Sequence, residues 1–168
     1  MKIDKFEIGN ERTFVIAEIG NNHNGSFDRA VELIDCSIEA GADCVKFQMR
    51  QLNKVYREKS INRSGDDLST EYVLDLLDRF ELSLEQHKKL KEYCDQKGVA
   101  YMCTPWDEES AGILNSMNVP AFKVASADFS NWPLLRVLAK FNCPLILSTG
   151  MSTQQEIERT TEMLSDLG

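Results

Sequence analysis

Lys46 inside CVKFQ and Lys123 inside AFKVAS each sit within an apolar run rather than on a charged helix face. An unpaired buried ammonium is costly, so each must reach the rim on its methylene stem or meet an anion or another polar partner. Snorkelling accounts well for one such lysine; two at similar depth on nearby strands favour a shared anion. Residues two apart on a strand face the same way, so Gln48 projects with Lys46. Hydroxyls end other apolar runs at Thr104, Ser126, Ser148 and Thr149. They suit phosphate oxygens, although each alone also suits the cap of a following helix. Gly150 after them leaves room for a ligand to approach the backbone.

Acids and histidines are more ambiguous. Glu18 ends the apolar start of FVIAEIGNNHNG, residues 14 to 25. It is open to use as a general base, as a ligand to metal or water, or as an ion-pair partner for a neighbouring lysine. Asp128 follows another apolar run and equally suits an N-cap. His23 fits a metal ligand, a proton carrier or a loop-ordering hydrogen bond. His87 lies in LEQHKKLKEY, a charged helix face, and is expected to be solvated. No H-x-x-x-H, paired histidines or aspartate-rich loop offers a metal first shell.

The elements that must position these residues alternate. Strands are expected over Thr13–Ile19, Asp43–Gln48, Val99–Thr104, Ala121–Ser126 and Pro144–Thr149, short and nearly continuous in hydrophobicity, as in parallel strands covered on both sides. A helix over Ser26–Ala40 carries apolar residues at 27, 30, 31, 34 and 38 and stops at Gly41. Ser83 with Gln86, and Ser152 with Gln155, fit capping boxes opening helices at 83–97 and 152–166. Further helices are expected near 71–80, 107–118 and 131–141. The order is β-α five times, with a helical excursion after the second strand, which implies a parallel sheet with right-handed crossovers. No G-x-G-x-x-G or P-loop sequence follows a strand, which disfavours a nucleotide-binding doubly wound sheet. Polar residues at the carboxyl ends of successive strands are instead how a (β/α)8 barrel builds its site.

Composition bounds the rest. The 168 residues are 42% hydrophobic and 27% charged, enough for one domain with a core. A net charge of −8 argues against nucleic acid or an anionic membrane as partner, so an anionic ligand needs a local positive pocket. Five cysteines with no C-x-x-C pair read as small buried hydrophobes. No segment resembles a signal peptide or a membrane span, and a cytoplasmic location is expected.

Taken together, IAEIGNNHNGS, VKFQ, CTPW, KVASAD and LILSTGM resemble the N-terminal part of the sialic acid synthases, a family that includes legionaminate and pseudaminate synthases and the spore-coat polysaccharide synthases. The resemblance runs from about residue 3 to residue 168. It implies a (β/α)8 barrel, an α/β fold of which this chain supplies about the first five β-α units. The later strands and a C-terminal antifreeze-like domain are expected to lie outside it. It implies condensation of phosphoenolpyruvate with an N-acylated amino sugar to a nine-carbon keto acid and phosphate, by a homodimer using manganese or magnesium. By motif, Lys46, Thr104, Lys123, Ser126 and Ser148 correspond to phosphoenolpyruvate contacts and Gln48 to a residue near the sugar. Glu18 corresponds to the acid of the family's first strand, which lies by the metal and the condensing carbons. Asn22 and His23 match a recurrent Asn-His pair. Asp128 stands where family members often have Glu. The metal-ligating histidines are expected on later strands, so the chain alone is expected to be inactive. Two alternatives remain open: a non-catalytic fragment binding phosphate or sugar phosphate, and another phosphoenolpyruvate-condensing keto-sugar-acid synthase. NNHNG and STGM favour the first reading.

Overall fold

A computed structural model describes residues 2–9, 13–55 and 68–168. The strands are β1 (Lys2–Ile3), β2 (Phe6–Glu7), β3 (Ile16–Gly20), β4 (Cys44–Met49), β5 (Ala100–Pro105), β6 (Phe122–Val124) and β7 (Leu145–Leu147). The helices are α1 (Phe27–Glu39), α2 (Leu52–Val55), α3 (Leu68–Phe80), α4 (Leu84–Lys97), α5 (Glu108–Ser116), α6 (Trp132–Ala139) and α7 (Gln154–Ser165). A 3₁₀ turn spans Ser126–Asp128.

Strands β3 to β7 form one parallel five-stranded sheet in strict chain order, β3-β4-β5-β6-β7. A doubly wound sheet reverses strand order at a switch point; monotonic order is that of a barrel. The two faces differ in what covers them. Val45, Phe47, Tyr101, Cys103, Phe122 and Val124 point outward, against Ala30, Ile34, Leu90, Cys94, Leu114, Leu135 and Leu138 of the helices. Each such fully buried Leu or Phe contributes about 1.5–3 kcal/mol. The alternate residues Ile16, Cys44, Ala100, Met102, Ala121 and Ile146 point inward and belong to a second cluster that contains no helix residue among those described. Their cover is the antiparallel β1–β2 hairpin, whose Ile3 is buried beside Phe6, Ile8 and Phe14. The hairpin floors the interior at the strands' amino ends. The fold is therefore α/β, the N-terminal part of a (β/α)8 barrel, as expected.

The local chemistry explains most boundaries. Ser26 caps α1 by accepting from Arg29 N–H, and Ser83 with Gln86 makes the full capping box of α4. The box expected at Ser152 and Gln155 is one residue further on, where Thr153 and Glu156 satisfy each other's backbone amides. Both pairs fit the pattern; Thr153 has the extended backbone that a cap requires. Asp107 caps α5 and Asn131 caps α6, so the N-cap reading of Asp128 does not hold. Strands β6 and β7 are shorter than expected, and Ser126 lies in the 3₁₀ turn rather than in a strand.

Two further expectations are overturned. His87 is buried, not solvated: α4 turns it inward, and its Nδ1 lies 2.7 Å from the Tyr101 hydroxyl. Cys36 is exposed and Cys143 half-buried, whereas Cys44, Cys94 and Cys103 are buried as expected. Burial pushes the Cys44 and Cys94 thiols up to about 12. Among the described residues no helix is long and apolar enough to cross a membrane.

Candidate active site

Above the apolar floor the inward positions turn polar, because period-2 alternation carries each strand from its floor residue to a residue two positions nearer the carboxyl end. Ile16 gives way to Glu18, Cys44 to Lys46 and Gln48, Met102 to Thr104, Ala121 to Lys123, and Ile146 to Ser148. Glu18 and Lys46 pair in register on β3 and β4, and Gln48 pairs with Thr104 on β4 and β5.

The Lys46 ammonium ion-pairs with Glu18 Oε2 and donates to Thr104 Oγ1 at 3.3 Å. Its side chain is 9% exposed and that of Glu18 51% exposed. Lys123 donates to the Val124 carbonyl at 2.7 Å and to Ser148 Oγ. Burial lowers the Lys123 pKa, the charge of Lys46 lowers it further, and Glu18 opposes both. Two lysines from strands on either side of β5 therefore share one electrostatic field with one carboxylate.

Backbone irregularity shapes the Glu18 end. The β3–β4 register slips between Glu18 and Gly20, and Gly20 has φ of +53°. A Cβ there would lie 3.1 Å from Glu18 Oε1 and 3.3 Å from Gln48 Nε2, so both side-chain ends occupy the space that glycine leaves. The following turn is tied by His23, whose Nδ1 accepts from Gly25 N–H at 3.1 Å. This is the loop-ordering role among the three open readings. Burial lowers the His23 pKa, and a hydrogen bond with the Gly20 backbone acts the other way.

Ser126 and Asp128 lie on the 3₁₀ turn beyond β6. Asp128 Oδ1 accepts from Asn131 Nδ2 at 3.0 Å, and burial raises the carboxyl's pKa. Its Oδ2 is buried without a partner.

Arg50 is the residue that the motifs did not single out. It is 6% exposed and continues the inward series Lys46, Gln48, Arg50, so the same period-2 count reaches it. Its Nη2 donates to Gln48 Oε1, its Nε lies 3.4 Å from Glu81 Oε2, and its backbone N–H donates to Glu81 Oε1 at 3.2 Å. The guanidinium also lies over the Trp106 ring, 5.0 Å from its centroid. Burial lifts the Glu81 carboxyl to about 7 despite the opposing charge of Arg50. Glu81 sits beyond the excursion after β4, where no local pattern ties it to Arg50.

Among the described residues no three His, Cys, Asp or Glu side chains converge. The one carboxylate of the polar rung is engaged by Lys46. These residues do not by themselves make up a first shell for the divalent ion that the family resemblance implies.

The chain matches the NeuB family over residues 33–168. The N,N'-diacetyllegionaminic acid synthase of Campylobacter jejuni is 36% identical over 162 residues, 94% of this chain and 48% of that protein. The spore coat polysaccharide biosynthesis protein SpsE of Bacillus subtilis is 41% identical over 139 residues, 81% of this chain and 36% of that one. The crystal structure of N-acetylneuraminic acid (sialic acid) synthetase from Leptospira borgpetersenii, in complex with citrate, aligns with a TM-score of 0.81 at 28% identity, covering 96% of this chain and 55% of that one. The chain spans about half the length of the curated relatives it matches.

Proposed function

The chain belongs to the NeuB family, and from that premise we propose that it carries the phosphoenolpyruvate-binding part of a synthase that joins phosphoenolpyruvate to an N-acylated amino sugar, giving a nonulosonic acid and phosphate. The observation that carries this reading is the pair Lys46 and Lys123, held in one mouth with the hydroxyls of Thr104 and Ser148. Phosphoenolpyruvate brings a phosphate and a carboxylate into a protein of net charge −8, and two preorganised ammonium groups offset that charge where the reaction occurs.

The chemistry forms a bond between the enol carbon of phosphoenolpyruvate and the aldehyde carbon of the open-chain sugar. Positive charge develops at the carbon bearing phosphate, water adds there, and the tetrahedral intermediate expels phosphate. In this scheme Lys46 and Lys123 hold the anion and Thr104, Ser148 and Ser126 donate to its oxygens. Gln48 faces the sugar. Glu18 lies beside the reacting carbons, where its negative charge opposes the developing cation. Asp128, its pKa raised by burial, is the candidate for proton movement near water or sugar. A divalent manganese or magnesium ion is part of the proposal; it would supply Lewis-acid chemistry and would be held by residues other than those described. The complete protein is taken to act as a homodimer, and the 168-residue chain alone to bind without turnover.

Calorimetric titration of phosphoenolpyruvate into the chain and into Lys46→Ala and Lys123→Ala tests the reading. Saturable binding that either substitution weakens at least about tenfold, in variants with wild-type circular dichroism, supports it. Folded variants that bind as well as wild type would place the anion elsewhere and sink the assignment.

A further inference from the structure

We propose that Asn131 is a positioning residue for Asp128: it fixes carboxyl oxygen Oδ1 as an acceptor and leaves Oδ2 as the oxygen that takes up and gives up a proton. The inference rests on the proposed role of Asp128 in proton movement. The arrangement of the two side chains rests on geometry alone.

Both ends of the Asn131 amide are engaged. Its Oδ1 accepts from Leu134 N–H at 3.4 Å, as the N-cap of α6, and its Nδ2 donates to Asp128 Oδ1 at 3.0 Å. The two ends of an amide are nearly isosteric, so neighbours assign them. A backbone N–H only donates, which makes the end against Leu134 the oxygen and gives the NH2 end to Asp128. The Asn131 backbone N–H also donates to the Asp128 carbonyl at 3.0 Å, so main chain and side chain together join the two residues. The helix cap is therefore also a fixed donor to the carboxyl.

The two oxygens of Asp128 are consequently unlike. A donor occupies Oδ1, whereas Oδ2 is buried with no partner among the described residues. An ionised carboxylate spreads its charge over both oxygens, and one of them buried without a donor is costly. A neutral carboxyl with its hydrogen on Oδ2 relieves that cost and leaves Oδ1 to accept from Asn131. Burial raises the carboxyl's pKa and the Asn131 bond opposes it, the two influences acting on it among the described residues. Asn131 thus keeps the group able to ionise as well as oriented. In the proposed reaction the aldehyde oxygen gains a proton and the added water loses one. A group that starts neutral, gives one proton and regains one meets that need.

The test follows the Asp128 carboxyl by carbon NMR against pH in the 168-residue chain, its signal assigned by its loss in Asp128→Asn. In wild type the Asn131 side-chain NH2 resonances are expected to shift with the same midpoint as the carboxyl. Asn131→Ser and Asn131→Asp each keep an N-cap acceptor but remove the amide donor. The carboxyl midpoint is expected to move upward in both, and further in Asn131→Asp, where a second carboxylate stands beside it. A residue serving only as a helix cap would leave the midpoint unmoved. NH2 resonances that ignore the titration in wild type, or a midpoint unchanged or lowered in the variants, overturn the positioning claim. Should both variants fail to fold, the wild-type measurement decides by itself. Saturation with phosphoenolpyruvate separates the inference from the function it builds on. The bound anion is expected to move the wild-type midpoint upward, because a nearby negative charge disfavours a second one. A midpoint indifferent to bound phosphoenolpyruvate overturns the proton-moving role of Oδ2. Failure of wild type to bind phosphoenolpyruvate overturns the functional reading, and that role with it, while the shared titration of Asn131 and Asp128 still decides their arrangement.

Discussion

Glu18 and Lys46 are register partners on adjacent strands, and their side chains form an ion pair in which the ammonium is buried and the carboxylate about half exposed. The lysine is thus partnered before any ligand arrives, which keeps a charged group tolerable inside the barrel. The carboxylate sits on the solvent side, where it can yield to a stronger anion.

Removal of that carboxylate should therefore help anion binding in the ground state even if it harms turnover. In Glu18→Gln we expect phosphoenolpyruvate to bind as tightly as in wild type or up to about fivefold tighter, since one nearby like charge is worth about 1 kcal/mol at a solvated mouth. Calorimetry under the conditions used for the lysine variants checks this. A tenfold loss would mean that Glu18 organises Lys46 rather than merely neutralising it.

The two glycines bounding the histidine turn should respond very differently to alanine. At Gly25, with φ of +79°, a Cβ would come within 2.3 Å of the Arg79 carbonyl oxygen, a backbone atom that cannot step aside. Gly25→Ala should cost about 2–4 kcal/mol, from positive φ and overpacking together. At Gly20 the neighbours are ends of flexible side chains, so the stability cost should be about 1–2 kcal/mol, mainly backbone strain. Urea denaturation of both variants orders them, and a Gly20→Ala loss equal to that of Gly25→Ala would contradict the packing account.

Acid should destabilise the protein through His87. Burial holds its pKa down at about 4, with a smaller contribution from His23, so the folded state keeps the ring neutral where an unfolded chain protonates it. Between about pH 6.5 and 4 the unfolded state binds more protons, and this contribution to stability is lost as pH falls through that window. His87→Gln retains an acceptor for the Tyr101 hydroxyl and should flatten the acid limb of a plot of unfolding free energy against pH. Parallel profiles for the two proteins would rule this source out.

Glu81 should act with the opposite sign. Its folded pKa is lifted to about 7 by burial, so between about pH 4.5 and 7 the folded state binds the extra proton and stability from this group falls as pH rises. Glu81→Gln should remove that decline, so that its stability relative to wild type rises from pH 5 to pH 7.5. Thermal melts at a series of pH values read the slope, and a wild-type-minus-variant difference independent of pH would refute it.

The strand-helix alternation, the parallel sheet and the inward lysines were legible in the sequence because they follow from local rules. A period of two assigns faces, glycine and capping residues end helices, and an ammonium in an apolar run demands a partner. The same rules placed Lys46 with Gln48 and extend to Arg50, although they could not say that Arg50 would meet Glu81 across the excursion after β4. That pairing, the inward turn of His87 toward Tyr101, the hairpin floor beneath the strands and the electrostatic influence of Lys46 on Lys123 depend on how elements distant in sequence stack. Periodicity identifies a face but not what lies opposite it, so LEQHKKLKEY looks charged all round even though one side of α4 rests on the sheet. The sequence by itself determined which residues could do chemistry and on which elements they ride. Only the tertiary structure decided which charges meet, because electrostatic partners are chosen by distance through space and not along the chain.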